Sequence, residues 1–229
     1  MGAGAIIVAA GSGERLGLGM PKAMVRAAGR PLVAWSAHAL SQARGVDALV
    51  VVAPPGDERA IAAALGDGLP VHAIVPGGSS RQRSVAAGIA ALPDGVDAIL
   101  VHDAARPLIT PVMVERVLAG LDAHSGAIAA APVADTLKRE AAGGVVGDTV
   151  DRAGLWGAQT PQAFRADVLR AVFDDAGDDE LDAATDCAGM AERRGIDVLL
   201  VDTGAPNVKV TVPADLALVE ALLGGGRIT

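Results

Sequence analysis

Aromatic residues are scarce in this sequence of 229 residues: there is no tyrosine, and Trp35, Trp156, Phe164 and Phe173 are the only aromatic side chains. A surface that stacks nucleic-acid bases on aromatic rings is therefore not expected. The formal net charge of −8 also argues against general nucleic-acid binding, because a phosphate backbone must be met by clustered Lys and Arg. If the protein binds a nucleotide, backbone groups are expected to recognise its base.

Cysteine and long apolar runs are also lacking. Cys187 is the only cysteine, which excludes an intramolecular disulfide and a zinc site built from several thiolates. No stretch reaches the roughly 20 apolar residues that a membrane-spanning helix needs. Met1 to Ala10 carry no basic segment ahead of the first apolar run, so a cleaved export signal is not expected. We expect a cytoplasmic protein without membrane contact, in which Cys187 is a small packed side chain.

Short apolar runs alternate along the chain with stretches whose apolar residues have helical spacing. This alternation is typical of a mostly parallel sheet covered by helices on both faces. The predicted strands are residues 5–10, 48–53, 71–75, 98–102, 127–132 and 198–202. The predicted helices are residues 31–43, 57–65, 84–92, 111–123 and 166–176. We expect a single α/β domain, residues 1–229, with a Rossmann-like, three-layer arrangement.

One segment, residues 133–155, departs from that alternation. Two polar runs, residues 135–139 and 145–152, flank Ala142-Gly143-Gly144, which predicts a β-hairpin. With so few apolar residues it cannot belong to the core, so we expect an arm that projects from the domain. An isolated two-stranded ribbon is marginally stable in water, so we expect the arm to lie against a second subunit of a homodimer. A surface loop is the alternative.

The first predicted strand leads into a glycine-rich loop. Gly11 and Gly13 would let backbone N–H groups approach a phosphate closely. Arg15 and Lys22 follow in the same loop and could meet a triphosphate and the charge that develops on its α-phosphorus during displacement. The loop does not match G-x-x-x-x-G-K-[ST] and lacks the third glycine of a dinucleotide-binding loop. The alternative is an ordinary turn with two solvated basic side chains.

His102 and Asp103 stand at the end of a predicted buried strand. In open parallel sheets the carboxyl ends of the strands face the ligand, so Asp103 is expected to contact substrate rather than only to cap a helix. His102 follows an apolar run, and we expect it to be a hydrogen-bonded structural residue. An isolated lysine is ordinarily exposed to solvent and has no special role, and this is the alternative for Lys209.

Five segments in this order resemble nucleotidyltransferases of the sugar-nucleotide type and, among them, the 2-C-methyl-D-erythritol 4-phosphate cytidylyltransferase family. The segments are Ala-Ala-Gly-x-Gly-x-Arg with Pro-Lys (9–22), Pro-Gly-Gly with Arg81 and Ser-Val (76–85), Val-His-Asp-Ala-Ala-Arg-Pro (101–107), Thr-Pro-Gln-x-Phe (160–164), and Asn-Val-Lys-Val-Thr before Pro-x-Asp-Leu (207–216). The resemblance covers about residues 5 to 222. It implies a Rossmann-like enzyme of non-mevalonate isoprenoid biosynthesis that joins CTP to 2-C-methyl-D-erythritol 4-phosphate and releases pyrophosphate.

The resemblance also implies roles for individual residues. Arg15, Lys22 and Lys209 would be catalytic by stabilising the α-phosphate. CTP would be bound by Ala9, Ala10, Gly11, Gly13, Gly78, Ser84 and Ala104. The polyol phosphate would be bound by Asp103, Arg106, Thr136, Arg152, Thr160 and Thr185, with Thr136 and Arg152 supplied by the partner subunit's arm. Asp103 would contact the polyol hydroxyls or help to position the metal region. Mg²⁺ would be held mainly by the CTP phosphates, with no protein ligand assigned.

Two residues depart from the family's pattern. Ala23 stands where many members have glutamine, and Cys187 stands where an acidic residue commonly follows Thr-Asp, which makes the surroundings of Thr185 less certain. Three alternatives stay open: a cytidylyltransferase for ribitol 5-phosphate or another polyol phosphate, a nicotinamide-dependent oxidoreductase, and a non-catalytic nucleotide sensor. The oxidoreductase would require an acidic residue at the end of the second strand, where Ala53-Pro54-Pro55 stands instead.

Overall fold

The structure is a computed structural model that describes residues 2–225, without the side chain of Arg15. Its strands are β1 (Ala3–Val8), β2 (Arg26–Ala27), β3 (Arg30–Pro31), β4 (Val46–Ala53), β5 (Val71–Pro76), β6 (Ala98–Asp103), β7 (Gly126–Pro132), β8 (Leu137–Glu140), β9 (Val146–Val150), β10 (Trp156–Arg165) and β11 (Val198–Asp202). Its α-helices are α1 (Leu32–Gln42), α2 (Glu58–Leu65), α3 (Arg81–Ala91), α4 (Pro111–Ala119), α5 (Ala166–Asp174), α6 (Asp178–Ala183), α7 (Cys187–Glu192) and α8 (Pro213–Gly224).

The central sheet has seven strands in the order β11-β7-β10-β6-β1-β4-β5. All neighbouring strands are parallel except β10, which runs antiparallel to both β6 and β7. This arrangement confirms the predicted mostly parallel α/β sheet.

Helices cover both faces of this sheet. Because side chains of a strand alternate between the two faces, Ile7 of β1 packs in a cluster with Val33 of α1 and Val117 of α4, while its neighbour Ile6 packs in another cluster with Val85 of α3. Both isoleucines are fully buried. Two apolar cores on opposite faces give the three layers that were predicted.

Strand β10 and helices α6, α7 and α8 were not predicted. β10 contains Pro161, which follows a cis peptide bond, and its pairing with β7 is interrupted between Ala158 and Gln162. A proline inside a run argues against a strand, so the sequence pattern there is weak. α6 and α7 have only six residues each. The predicted helix 111–123 ends at Ala119 and continues as a 3₁₀ turn, Gly120–Asp122.

Residues 133–155 contain the predicted hairpin. β8 and β9 pair antiparallel as a two-stranded sheet of their own, with Leu137 opposite Val150. The connecting turn places Gly143 and Gly144 at φ of 78° and 77°, a conformation that glycine adopts readily. Val145 and Val146, near this turn, are both more than 60% exposed. The structure therefore confirms a projecting arm, and its contact with a second subunit stays a prediction.

The strand order brings several loops together at one edge of the sheet. The carboxyl ends of β1, β5 and β6 all lie at that edge. The glycine-rich loop follows β1, and the Gly77–Gly78 loop follows β5. A Cβ on Gly77 would lie 2.5 Å from the Cβ of Ala10, so only glycine lets these two loops pack this closely. Within residues 2–225, the helices are too short or too polar to cross a membrane.

Candidate active site

A cavity of about 450 Å³ opens at the carboxyl edge of the sheet, among the ends of β1, β5 and β6 and the segment that precedes α8. Both polar and apolar groups line it. The lining residues are Val8, Ala9, Ala10, Gly11, Ser12, Lys22, Ala23, Gly78, Ser79, Ser80, Arg81, Ser84, Asp103, Ala104, Ala105 and Lys209.

The glycine-rich loop forms one wall and folds back on itself. Gly13 has a φ of 76°, and the N–H of Lys22 donates to the carbonyl of Gly11 at 3.3 Å. A Cβ on Gly13 would lie 3.1 Å from the backbone nitrogen of Lys22, so a side chain there would be strained in conformation and crowded in space. This turn returns Lys22 to the cavity. The side chain of Arg15 lies outside the described part of the chain, so its predicted contact with the phosphates stays a prediction.

The loop before α3 forms another wall. Ser80 caps α3, since its Oγ accepts from the N–H of Arg83 at 3.2 Å. The buried hydroxyl of Ser84 donates to the carbonyl of Ser80 at 2.9 Å and accepts from the N–H of Gly78 at 3.1 Å. Ser84 thus fixes the path of the loop whose backbone faces the cavity.

Asp103 joins three elements through its carboxylate. Arg81, the first residue of α3, donates to Oδ1 from Nε at 3.1 Å and from Nη2 at 3.0 Å. Lys209, in the segment before α8, donates to Oδ2 from Nζ at 2.7 Å. Burial opposes ionisation of Asp103, but the two cations outweigh it and hold its pKa well below the usual range. The carboxylate is therefore charged throughout the physiological pH range.

His102 and Thr160 support Asp103 from within the sheet. The Thr160 hydroxyl accepts from the N–H of Asp103 at 3.1 Å and lies 3.1 Å from Nδ1 of His102. Nε2 of His102 lies 3.2 Å from the carbonyl of Arg106, which can only accept. These partners assign the proton to Nε2 and leave Nδ1 to accept from Thr160. Burial lowers the pKa of His102 to about 4, so the ring is neutral, in the structural role expected from the sequence.

The segment that carries Lys209 is tied to the same region. The side-chain amide of Asn207 donates to the carbonyl of Thr160 at 2.8 Å, and the backbone carbonyl of Asn207 accepts from Nη1 of Arg106 at 2.6 Å. The N–H of Val210 donates to the carbonyl of Ala105 at 2.8 Å. Lys209 lies between these anchors, so the fold fixes its backbone while its side chain stays 40% exposed.

Nine of the predicted site residues line this cavity together: Ala9, Ala10, Gly11, Lys22, Gly78, Ser84, Asp103, Ala104 and Lys209. Gly13, Arg106 and Thr160 contact lining residues without themselves lining the cavity. Thr136, Arg152 and Thr185 are exposed and do not line it.

Arg81 was absent from the predicted site, although it lies in one of the segments that carry the resemblance. An arginine at a helix start has no signature in sequence. Its partner, Asp103, is recognised only when the folded sheet brings the end of β6 next to the start of α3.

Cys187 is fully buried below Arg81, whose Nη1 lies 4.0 Å from Sγ. Burial raises the pKa of the Cys187 thiol to about 11, which leaves it protonated. The expectation of a small packed side chain is confirmed. The neighbouring Gln162 accepts from the N–H groups of Cys187 and Ala188 and donates to Asp186, so it anchors the start of α7.

The cavity suits a nucleoside triphosphate. Its glycine-rich wall has backbone N–H groups for phosphates, and its two lysines supply positive charge. On a Rossmann-like sheet this combination is that of a nucleotidyltransferase. The chain belongs to the IspD family, 2-C-methyl-D-erythritol 4-phosphate cytidylyltransferase, whose family model matches residues 3–225.

Individual relatives agree with this assignment. A 2-C-methyl-D-erythritol 4-phosphate cytidylyltransferase of Synechocystis sp. is 41% identical over 224 residues, which are 96% of each chain. One of Frankia casuarinae is 45% identical and covers 96% of this chain and 80% of its own. Among solved structures, the 2-C-methyl-D-erythritol 4-phosphate cytidylyltransferase of Thermus thermophilus superimposes with a TM-score of 0.79 at 33% identity, over 95% of this chain and 97% of that one. The oxidoreductase alternative is not favoured.

The neutral, buried His102 predicts a specific acid sensitivity. Its pKa is lower in the folded than in the unfolded chain, so protons bind the unfolded chain more readily. The free energy of unfolding should therefore fall as the pH drops from about 6.5 to about 4, by at most about 3 kcal/mol from this residue. His102→Asn should flatten this part of the curve, measured by urea unfolding at each pH. His72→Asn controls for the loss of an exposed imidazole, and equal acid slopes in wild type and His102→Asn would contradict the prediction.

Proposed function

We propose that this chain carries out its family's reaction in the cavity described, with Lys22 and Lys209 as catalytic residues. The substrates are CTP and 2-C-methyl-D-erythritol 4-phosphate, and the products are 4-diphosphocytidyl-2-C-methyl-D-erythritol and pyrophosphate. The observation that carries the assignment of roles is that two lysines distant in sequence line one cavity beside a glycine-rich loop.

The reaction is an in-line displacement at phosphorus. A phosphate oxygen of the polyol phosphate attacks the α-phosphorus of CTP, a new P–O bond forms, and the bond to the leaving pyrophosphate breaks on the opposite side. The attacking phosphate monoester is largely deprotonated near neutral pH, so no strong general base is needed. Catalysis then depends on positioning the two substrates and neutralising their charge.

CTP lies along the glycine-rich wall in this proposal. The backbone of Ala9, Ala10 and Gly11, with Lys22 beside them, receives the phosphates. Gly78 faces the base without a side chain in between, and Ser84 keeps its loop in place. Ala104 completes the nucleotide site. Arg15, whose loop borders the cavity, adds positive charge near the α-phosphate.

Lys209 changes partner during the reaction. Its ammonium group rests on Asp103, and its partly exposed side chain can turn toward a phosphate that enters the cavity. There it offsets repulsion between the attacking phosphate and the α-phosphate. Asp103 is then available to accept hydrogen bonds from the polyol hydroxyls.

Mg²⁺ would be bound mainly by the phosphates of CTP and would belong to the substrate complex. Among residues 2–225 no group of three or more His, Cys, Asp or Glu side chains could hold a metal ion, and Asp103 is the one described carboxylate that lines the cavity. These residues fit an ion carried by phosphate oxygens and water, the coordination that Mg²⁺ favours with nucleotides. The bound ion supplies neutralisation of phosphate charge.

The arm completes the site of a partner subunit. Thr136 and Arg152 are exposed on the segment that contains the arm, outside the cavity of their own chain, which is the placement that a contribution to a neighbouring site requires. We propose a homodimer in which these two residues, with Thr160, Thr185 and Arg106 of the main body, surround the polyol phosphate. The cytoplasmic location expected from the sequence stays a prediction.

The substrate assignment predicts a particular pattern of pyrophosphate release. Each of the four nucleoside triphosphates is supplied with 2-C-methyl-D-erythritol 4-phosphate or with ribitol 5-phosphate. CTP with methylerythritol phosphate should be fastest, because in this proposal the backbone of the Gly78 loop recognises the cytosine base. Faster release from a purine triphosphate would contradict the cytidylyl assignment, and faster release with ribitol phosphate would favour that alternative.

The roles of the two lysines predict large losses of rate without loss of fold. Lys22→Ala and Lys209→Ala should each lower kcat by about a hundredfold or more, because each removes a positive charge from the phosphates in the transition state. Arg44→Ala, which breaks an exposed ion pair with Glu115, is the control and should keep the wild-type rate. A rate within a few fold of wild type in either lysine variant, with normal circular dichroism, would contradict its role.

The shared site predicts complementation between two inactive subunits. Arg152→Ala subunits and Lys22→Ala subunits are co-expressed with different tags, and dimers that carry both tags are purified. If the arm reaches the partner, such a dimer has one site with intact Lys22 and an intact arm, and about half of the wild-type turnover should return. Homodimers of each variant are the controls. No activity in the mixed dimer would refute the crossing of the arm.

A further inference from the structure

Among the described charged residues that line the cavity, Arg81 is the one to which the proposed function gives no role. It lines the cavity, and its guanidinium makes two hydrogen bonds to Oδ1 of Asp103. Its side chain is 21% exposed, about half of the exposure of Lys209. Arg81 is thus the more buried of the two cations on Asp103.

The two cations divide the carboxylate between them. Arg81 occupies Oδ1 through two N–H groups, and Lys209 occupies Oδ2 through one ammonium group. Both Arg81 N–H groups meet the same oxygen, so they hold Oδ1 in place more firmly than a single ammonium hydrogen bond from a flexible side chain would. When Lys209 turns to phosphate, Oδ2 is released and Oδ1 keeps its partner.

Without Arg81, the departure of Lys209 would leave Asp103 with no cation hydrogen-bonded to it among the described side chains. Asp103 is only 7% exposed, and an uncompensated buried carboxylate tends to take up a proton. A protonated Asp103 would lose an acceptor for the polyol hydroxyls and would no longer be held in one orientation.

Several groups from different elements act on Asp103 and enter its titration. They are Arg81 of α3, Lys209 before α8, His102 of β6, Arg106 of the loop after β6, and Cys187 of α7. Burial disfavours the charged form of His102, and that of the Cys187 thiol, in the folded protein. The guanidinium of Arg106 donates a hydrogen bond to the backbone carbonyl of Asn207 and not to Asp103. Arg81 is therefore the cation that stays directly on Asp103 once Lys209 leaves.

We propose that Arg81 is a positioning residue of the reaction, which holds Asp103 in place and ionised while Lys209 binds phosphate. The inference rests on the proposed role of Asp103 as the polyol-binding carboxylate. Arg81 acts through Asp103 and needs no contact of its own with substrate.

The test compares pH–rate profiles of the intact enzyme with saturating CTP, Mg²⁺ and methylerythritol phosphate. In Arg81→Gln, kcat should fall more steeply below neutral pH than in wild type, because Asp103 takes up a proton during turnover. We expect the ratio of kcat at pH 8 to kcat at pH 6 to exceed the wild-type ratio by about fivefold or more. Titration of the substrate phosphate affects all variants alike and cancels in this comparison.

Two matched variants separate charge from structure. Arg81→Lys keeps the positive charge and should restore a ratio within about twofold of wild type. Arg83→Gln removes an arginine two residues further along α3, which binds Asp178 and Asp182 instead, and should keep the wild-type profile. If Arg81→Gln does not fold, Arg81→Met takes its place with the same expectation.

The Asp103→Asn background decides whether the effect passes through Asp103. Asparagine cannot ionise. The double variant Arg81→Gln/Asp103→Asn should therefore lose kcat at low pH no more steeply than Asp103→Asn alone. The proposal would be overturned if Arg81→Gln had the wild-type pH–rate profile. It would also be overturned if Arg81→Gln made kcat fall more steeply at low pH even in the Asp103→Asn background. Wild-type turnover of CTP with methylerythritol phosphate tests the proposed function separately, and an inactive wild type would count against that function alone.

Discussion

The site depends on one nearly buried carboxylate that carries two positive side chains. Asp103 ends β6, Arg81 begins α3, and Lys209 lies before α8, so a single group connects the sheet edge, one covering helix and the segment that leads into α8. Burial alone would favour the neutral acid, and the two cations reverse that preference. His102, Thr160, Asn207 and Arg106 then fix the backbone from which Asp103 and Lys209 project.

This arrangement fits a reaction between two anions in a protein that is itself anionic. A net charge of −8 gives no general attraction for phosphates, so positive charge must be supplied locally. The cavity does so with Lys22, Arg81 and Lys209, and in the proposed mechanism the charge of Lys209 rests on Asp103 until substrate arrives. The carboxylate offsets the repulsion between Arg81 and Lys209 before substrate binds. The proposed transfer of Lys209 to a phosphate relies on a side chain that is long, flexible and partly exposed.

Three of the elements that sequence reasoning missed, β10, α6 and α7, have weak local patterns. β10 carries a proline, and its pairing with β7 is interrupted, so neither the alternation of apolar residues nor the composition indicates a strand. It is nevertheless paired between β6 and β7 in the sheet. α6 and α7 are too short to show a helical period, and α7 is held by contacts such as the bonds of Gln162 at its start. Arg81 was also missed, because its role depends on a carboxylate that lies 22 residues away in the sequence.

The sequence by itself determined the alternation of buried strands and helices, the polar hairpin and the family, because these follow from local periodicity and from short segments in a fixed order. It also indicated most of the lining residues, since strand ends and glycine turns can be located from local pattern. Only the tertiary structure decided which side chains meet. The strand order places β6 between β1 and β10, and this placement brings Arg81 and Lys209 to the two oxygens of Asp103 and turns Arg106 toward Asn207. Pairing across such distances is a property of packing, which no local pattern records.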